Sequence, residues 1–127
     1  MLANTTLAPQ AICPDWSAKA SELELAFGQL WVELYPRLDL YVEQKLIPGR
    51  RFRFDFCHYP SRVAIEIQGY GPGHYSKKGV DRDNLKHRLA AENDWLVLPV
   101  EGGKVRDAEE HRRIAKIIEQ RSQGVAA

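Results

Sequence analysis

The sequence predicts an α/β domain in which a small mixed sheet is flanked by helices, with elements in the order α, β, β, β, α, β, α. Three observations carry that reading. Apolar residues recur at helical spacing near both ends of the chain, two central runs alternate apolar and polar residues with a period of two, and a short apolar run follows a second helical segment.

Residues 1–16 read as a flexible N-terminal arm. From Ser17 or Ser21, the residues Leu23, Ala26, Phe27, Leu30, Trp31 and Leu34 form the stripe of an amphipathic helix, which Pro36 ends. "DLYVEQKLI" predicts a first strand, closed by Pro48-Gly49. In "RFRFDFCH" the residues Phe52, Phe54 and Phe56 are expected on one face and Arg53, Asp55 and Cys57 on the other. "VAIEIQ" divides the same way, with Val63, Ile65 and Ile67 opposite Ala64, Glu66 and Gln68. The connector "YPSR" predicts an antiparallel hairpin. Pairing Tyr59 with Arg62 then sets Asp55 across from Glu66, ~5 Å apart at Cβ.

After the loop "GYGPGHYSKKG" a second helix is expected over about 81–93, with Leu85 and Leu89 on its buried side. "WLVLP" reads as a strand covered on both faces. Gly102-Gly103 turns the chain, and a last helix is expected over about 107–120, with residues 121–127 frayed. The domain is thus assigned to residues 17–120.

A chain of 127 residues with 44% apolar and 28% charged residues is long enough for a real core and far from a disordered composition. No apolar run is long enough to span a bilayer, and the opening residues lack the features of a signal peptide, so a cytoplasmic protein without membrane contact is expected. Cys13 and Cys57 form neither a CxxC motif nor a disulfide framework. The net charge of +1 does not announce a nucleic-acid binder, but its distribution is uneven. Arg50, Arg51 and Arg53 cluster before Asp55; Lys77, Lys78, Arg82, Lys86 and Arg88 outnumber Asp81 and Asp83. These cations either solvate loops and helices or grip phosphates.

Asp55 and Glu66 are lone acids in runs of strand-forming residues. Opposed like charges destabilise a sheet unless one is protonated or a cation lies between them. Mg²⁺ is the natural partner, because it takes carboxylate and carbonyl oxygens and completes its shell with water and substrate phosphate. Asp55, Glu66 and the Ile67 carbonyl could offer three oxygens. A half-exposed hairpin with two acids on its polar face is the plainer alternative, which helices covering both faces of the sheet would disfavour.

The order "FDF", "EIQG", a glycine-rich turn with His74, and "DNLKHRLAAENDWLVLPV" resembles the PD-(D/E)xK nuclease superfamily, especially its small branch near very short patch repair and phage-type or homing endonucleases. The likeness spans about residues 21–100. It implies a restriction-endonuclease-like αβββαβ core, a Mg²⁺ cofactor for which Mn²⁺ substitutes, and a DNA substrate. Asp55 matches the superfamily's metal-binding Asp and Glu66 the acid of its (D/E)xK half-motif. Gln68 stands where that motif has Lys, so either the cation comes from the following helix, with Lys86 the candidate, or catalysis has been lost.

Glu24 stands where relatives carry a helix-borne metal ligand, but Ser21-x-x-Glu24 is equally a capping box. His74 could touch the scissile phosphate or move a proton, or be an ordinary loop histidine. Tyr70 and Tyr75 are the aromatic residues best placed to meet a base, whereas Trp31 and Trp95 read as core. "GYGPG" does not fit a dinucleotide loop, because proline interrupts it. The expected function is metal-dependent DNA endonuclease, acting as a homodimer or dimer of dimers so that two sites cut two strands. The alternative is an inactive nucleic-acid-binding protein that keeps the fold.

Overall fold

The structure is a computed structural model that describes residues 20–69 and 77–126. Its elements are α1 (Glu22–Leu34), β1 (Tyr41–Gln44), β2 (Phe54–His58), β3 (Val63–Gln68), α2 (Lys77–Glu92), β4 (Leu96–Glu101), a 3₁₀ turn (Gly102–Lys104) and α3 (Ala108–Ala126). The four strands form one mixed sheet in the order β1-β2-β3-β4, antiparallel except for the β3–β4 pair. The expected α/β architecture, a small mixed sheet flanked by helices, is therefore present. The expected N-terminal arm lies outside the described residues. Among the described residues no helix is long and apolar enough to cross a membrane.

Ser21 caps α1, and Ala26, Phe27 and Trp31 bury that helix against the sheet. One side of the sheet packs on α1 and α3, joining Phe27, Trp31, Val42, Phe56, Ile65, Val100, Ile114 and Ile118; the other joins Ile47, Phe54, Cys57 and Ala64 to Ala90 of α2 and Trp95. Both expected core tryptophans are buried, and the Trp31 indole donates to the Leu38 carbonyl at 2.9 Å. Cys57 is buried, which pushes its thiol up to about 12 and leaves it unreactive.

Five sequence expectations are corrected, the first being that Leu85, expected on the buried side of the second helix, is exposed. Helix α2 begins at Lys77 rather than near Asp81, because nothing in "KKGV" breaks a first turn and Gly79 is tolerated there. It ends in a Schellman closure, Trp95 N–H on the Ala90 carbonyl at 2.9 Å and Asp94 N–H on that of Ala91 at 3.1 Å, with Asp94 left-handed at φ 67°. Helix α3 continues past Gln120 to Ala126 instead of fraying, since Arg121 donates to the Ser61 carbonyl at 2.7 Å and ties that turn to the β2–β3 hairpin. Strand β4 is an edge strand, half-buried rather than covered on both faces; Pro99, which has no N–H to donate, is accommodated there. Finally, Phe54 packs on the α2 side and Phe56 on the α1 side, so the alternation expected through "RFRFDFCH" breaks at Asp55.

His111 of α3 is fully buried, stacked on Phe27 at 4.3 Å between ring centroids. Its Nε2 lies 2.8 Å from the Val105 carbonyl and so carries the proton, while the buried Nδ1 has no partner among the described residues. Burial lowers its pKa, outweighing the Val105 hydrogen bond, which raises it. The stability this ring contributes is present above the ordinary histidine pKa of ~6.5 and is lost as pH falls through it, because protonation would bury a charge with no acceptor. His111→Gln keeps a donor for Val105 and cannot titrate. We expect the melting temperature of the parent to fall more steeply between pH 7 and 5 than that of His111→Gln. Equal slopes would assign the acid sensitivity elsewhere, His58 being the other buried histidine among the described residues.

Candidate metal and phosphate site

Strands β2 and β3 pair in the register expected from the hairpin, with Phe56 on Ile65, Cys57 on Ala64 and His58 on Val63. Continued by one residue this register sets Asp55 against Glu66, but the pairing stops at Phe56. Instead of a ladder partner, the Ile67 N–H finds the Asp55 carboxylate, Oδ2 accepting at 2.8 Å. The strands thus part at Asp55, and the acid fills the fork. Ile67, expected to offer its carbonyl, is tied here through its amide.

Asp55 is crowded by acids from two directions. One carboxylate oxygen each from Glu24, Glu43 and Asp55 lie within 4.8 Å of one another. Burial first, and the charge of Glu66 second, push the Asp55 carboxyl up to about 8. Glu43 is also raised, by burial and then by Glu24. Glu24 forms the capping box and also lies with Glu43 and Asp55. Its Oε1 accepts from the Ser21 N–H at 3.4 Å, which completes the capping box, and from Ser21 Oγ at 3.0 Å, while its buried Oε2 has no hydrogen-bond partner among the described residues.

Glu43 is the residue that sequence reasoning missed. The register of β1 on β2 sets it beside Asp55, and regular alternation would turn it to the α2 side with Tyr41. Its φ of 54° breaks that alternation and brings its carboxylate to Glu24 of α1. A left-handed conformation costs a non-glycine residue ~1–2 kcal/mol, and such strain concentrates at functional sites. The available signal was a lone acid in a short strand, the same one that drew attention to Asp55.

Glu66 is not among the three gathered carboxylates. It pairs with Lys86, whose Nζ donates to Glu66 Oε1 and, at 2.5 Å, to the Arg53 carbonyl. Both side chains are largely buried, at 13% and 17% exposure, and the Lys86 ammonium also lies over the Phe54 ring at 4.4 Å. Lys86 thus brings a cation from α2 to the end of β3. Gln68 is exposed, at the end of β3 opposite Glu101 of β4.

The orphaned Glu24 oxygen and three converging carboxylates fit a hard divalent cation, which takes carboxylate oxygens and water. Arg51 and Arg53 are exposed next to this site, and Arg82 extends over the Phe52 ring at 5.9 Å. Lys78, Arg82 and Lys86 follow one another every four residues along one side of α2, whereas Arg88 leaves the helix about 200° around from Lys86. Arg50 is exposed after the Pro48-Gly49 turn. Tyr70, His74 and Tyr75 lie outside the described residues, as does the Lys77 side chain.

The comparisons with known proteins add no neighbour: no family model, no curated protein and no solved structure matches the chain.

Proposed function

We propose that the chain carries a restriction-endonuclease-like core of the PD-(D/E)xK type and acts as a Mg²⁺-dependent DNA endonuclease. The observation that carries this reading is the crowding of Glu24, Glu43 and Asp55 at the fork between β2 and β3, three carboxylates that cannot all ionise there uncompensated. A divalent cation, when bound, acidifies water and offsets charge building on a phosphate. Asp55, Glu43 and Glu24 would hold it, while the Ile67 amide fixes the orientation of Asp55. Lys86 offers positive charge to the phosphate from its seat on Glu66. Gln68, leaving β3 on the same side as Glu66, orients the attacking water through its amide but cannot deprotonate it. Two sites are needed to cut two strands, so the working form is a homodimer or a dimer of dimers.

Nicking of supercoiled plasmid with Mg²⁺ or Mn²⁺, against an EDTA control, tests the activity. DNA binding without nicking would favour the competing reading, an inactive binder, which rests on Gln68 standing in the place of a Lys. The contact of Lys86 with Glu66 favours the enzyme. Gln68→Ala is expected to slow nicking by roughly 10- to 1,000-fold, the upper end being what one preorganised donor contributes. A parental rate in that variant would remove Gln68 from the reaction. Affinity for DNA, measured in EDTA, should fall as NaCl rises, because Arg50, Arg51 and Lys78 would act on phosphates. A flat salt dependence would exclude a phosphate-dominated interface.

A further inference from the structure

At Lys86, the partner of Glu66, a groove of about 410 Å³ runs between the segment before β2 and the first turns of α2. Arg51, Phe52, Arg53, Arg82 and Lys86 line it, with Asp83 as the acid among them. With Lys86 held by Glu66, Arg51, Arg53 and Arg82 against Asp83 still leave an excess of positive charge that attracts phosphate. Its size is the second clue. Ligand pockets run from ~300 to 1,000 Å³, so this groove has room for a nucleotide rather than a phosphate ion alone. The third clue is the Arg82 guanidinium lying over the Phe52 ring. An arginine plane backed by an aromatic ring is a surface on which an unpaired base stacks. Asp83 supplies an acceptor for a base N–H and opposes a second phosphate, which favours a nucleoside monophosphate over a polyphosphate.

We propose that this groove is a subsite for a single unpaired nucleotide of the substrate strand, with its phosphate on Arg51 and Arg53 and its base on the Arg82–Phe52 pair. The assignment deepens the endonuclease reading and rests on it for the word substrate. It narrows the substrate to nucleic acid with a frayed, flipped or single-stranded nucleotide next to the bond that is cut. Lys86 joins the groove to β3, since the same ammonium lines the groove and holds Glu66.

The test titrates the full chain in EDTA with each of the four deoxynucleoside monophosphates, with the matching deoxynucleosides and with inorganic phosphate, by calorimetry. At least one monophosphate should bind about tenfold or more tightly than both its nucleoside and phosphate. Arg82→Ala and Phe52→Leu should each weaken that binding by roughly 5- to 100-fold, the worth of one stacked base. Lys116→Ala, on the exposed side of α3, should bind like the parent. Equal binding of phosphate and monophosphate would reduce the groove to an anion site and overturn the proposal. So would the absence of monophosphate binding by a protein that circular dichroism shows to be folded, or indifference to both groove substitutions. Because the titration needs neither metal nor cleavage, a chain that binds monophosphates but never nicks plasmid loses the endonuclease reading and keeps the subsite. An active nuclease that binds no monophosphate has the opposite outcome.

Discussion

Asp55→Asn is expected to abolish nicking while raising the melting temperature of the protein in EDTA by roughly 5–10 °C, about 2 kcal/mol for a domain of this size. The two effects have one cause. Asp55 is held above its ordinary range, at about 8, by burial and by the charge of Glu66. The stability that goes with such a group is intact below the ordinary carboxylate pKa of ~3.9 and is lost progressively as pH rises towards 8, because the unfolded chain gains by ionising it. Asparagine has no such ionisation, keeps an oxygen to accept the Ile67 N–H, and removes one of the three crowded acids. Mg²⁺ should stabilise the parent measurably in a thermal melt, through binding to the folded state alone. The Asn variant should lose most of that gain. Parental nicking in Asp55→Asn, or an undiminished Mg²⁺ shift, would take Asp55 out of the site.

Lys86→Met should have the next largest effect, with the opposite sign on stability. Methionine fills the space beside Phe54 but leaves the Glu66 carboxylate and the Arg53 carbonyl without their donor in a largely buried setting. Leaving a buried charge unpartnered costs about 2–3 kcal/mol, so a fall of the order of 10 °C in melting temperature is expected. Nicking should drop by ~10²- to 10³-fold if Lys86 supplies charge to the phosphate. The double variant Lys86→Met/Glu66→Gln separates the two roles. It should regain much of the lost stability, since no unpaired charge remains, and none of the activity. Nicking that returns together with stability would mean that Lys86 only holds the fold.

What the sequence made legible follows from local rules. A four-residue connector between two alternating runs pins the hairpin register, and the observed pairs keep it. The stripe from Leu23 to Leu34 and the S-x-x-E start specify the first helix, whose capping box forms as written. Asp55 stood out because a lone acid in a strand needs compensation wherever helices cover both faces. Lys86 came from the superfamily resemblance, since nothing in the spacing of residues 66 and 86 requires them to meet.

The carboxylate site itself was decided by tertiary structure. Glu43 joins Glu24 and Asp55 only because β1 pairs on the outer side of β2 and because one residue takes a left-handed φ, a strain that no propensity for Glu signals. The same holds for the break at Asp55, where a side chain replaces a ladder hydrogen bond and sends Phe54 to the face opposite Phe56. A period of two describes a strand whose neighbours satisfy its backbone, and it fails where a carboxylate takes a neighbour's place. The sequence by itself determined the elements, the hairpin register and the first helix, because those depend on contacts a few residues apart. Which acids share the site, and which cation compensates Glu66, depended on strand order and on the packing of α1 and α2 against opposite faces, and residues so far apart in the chain carry no mark of that in their spacing.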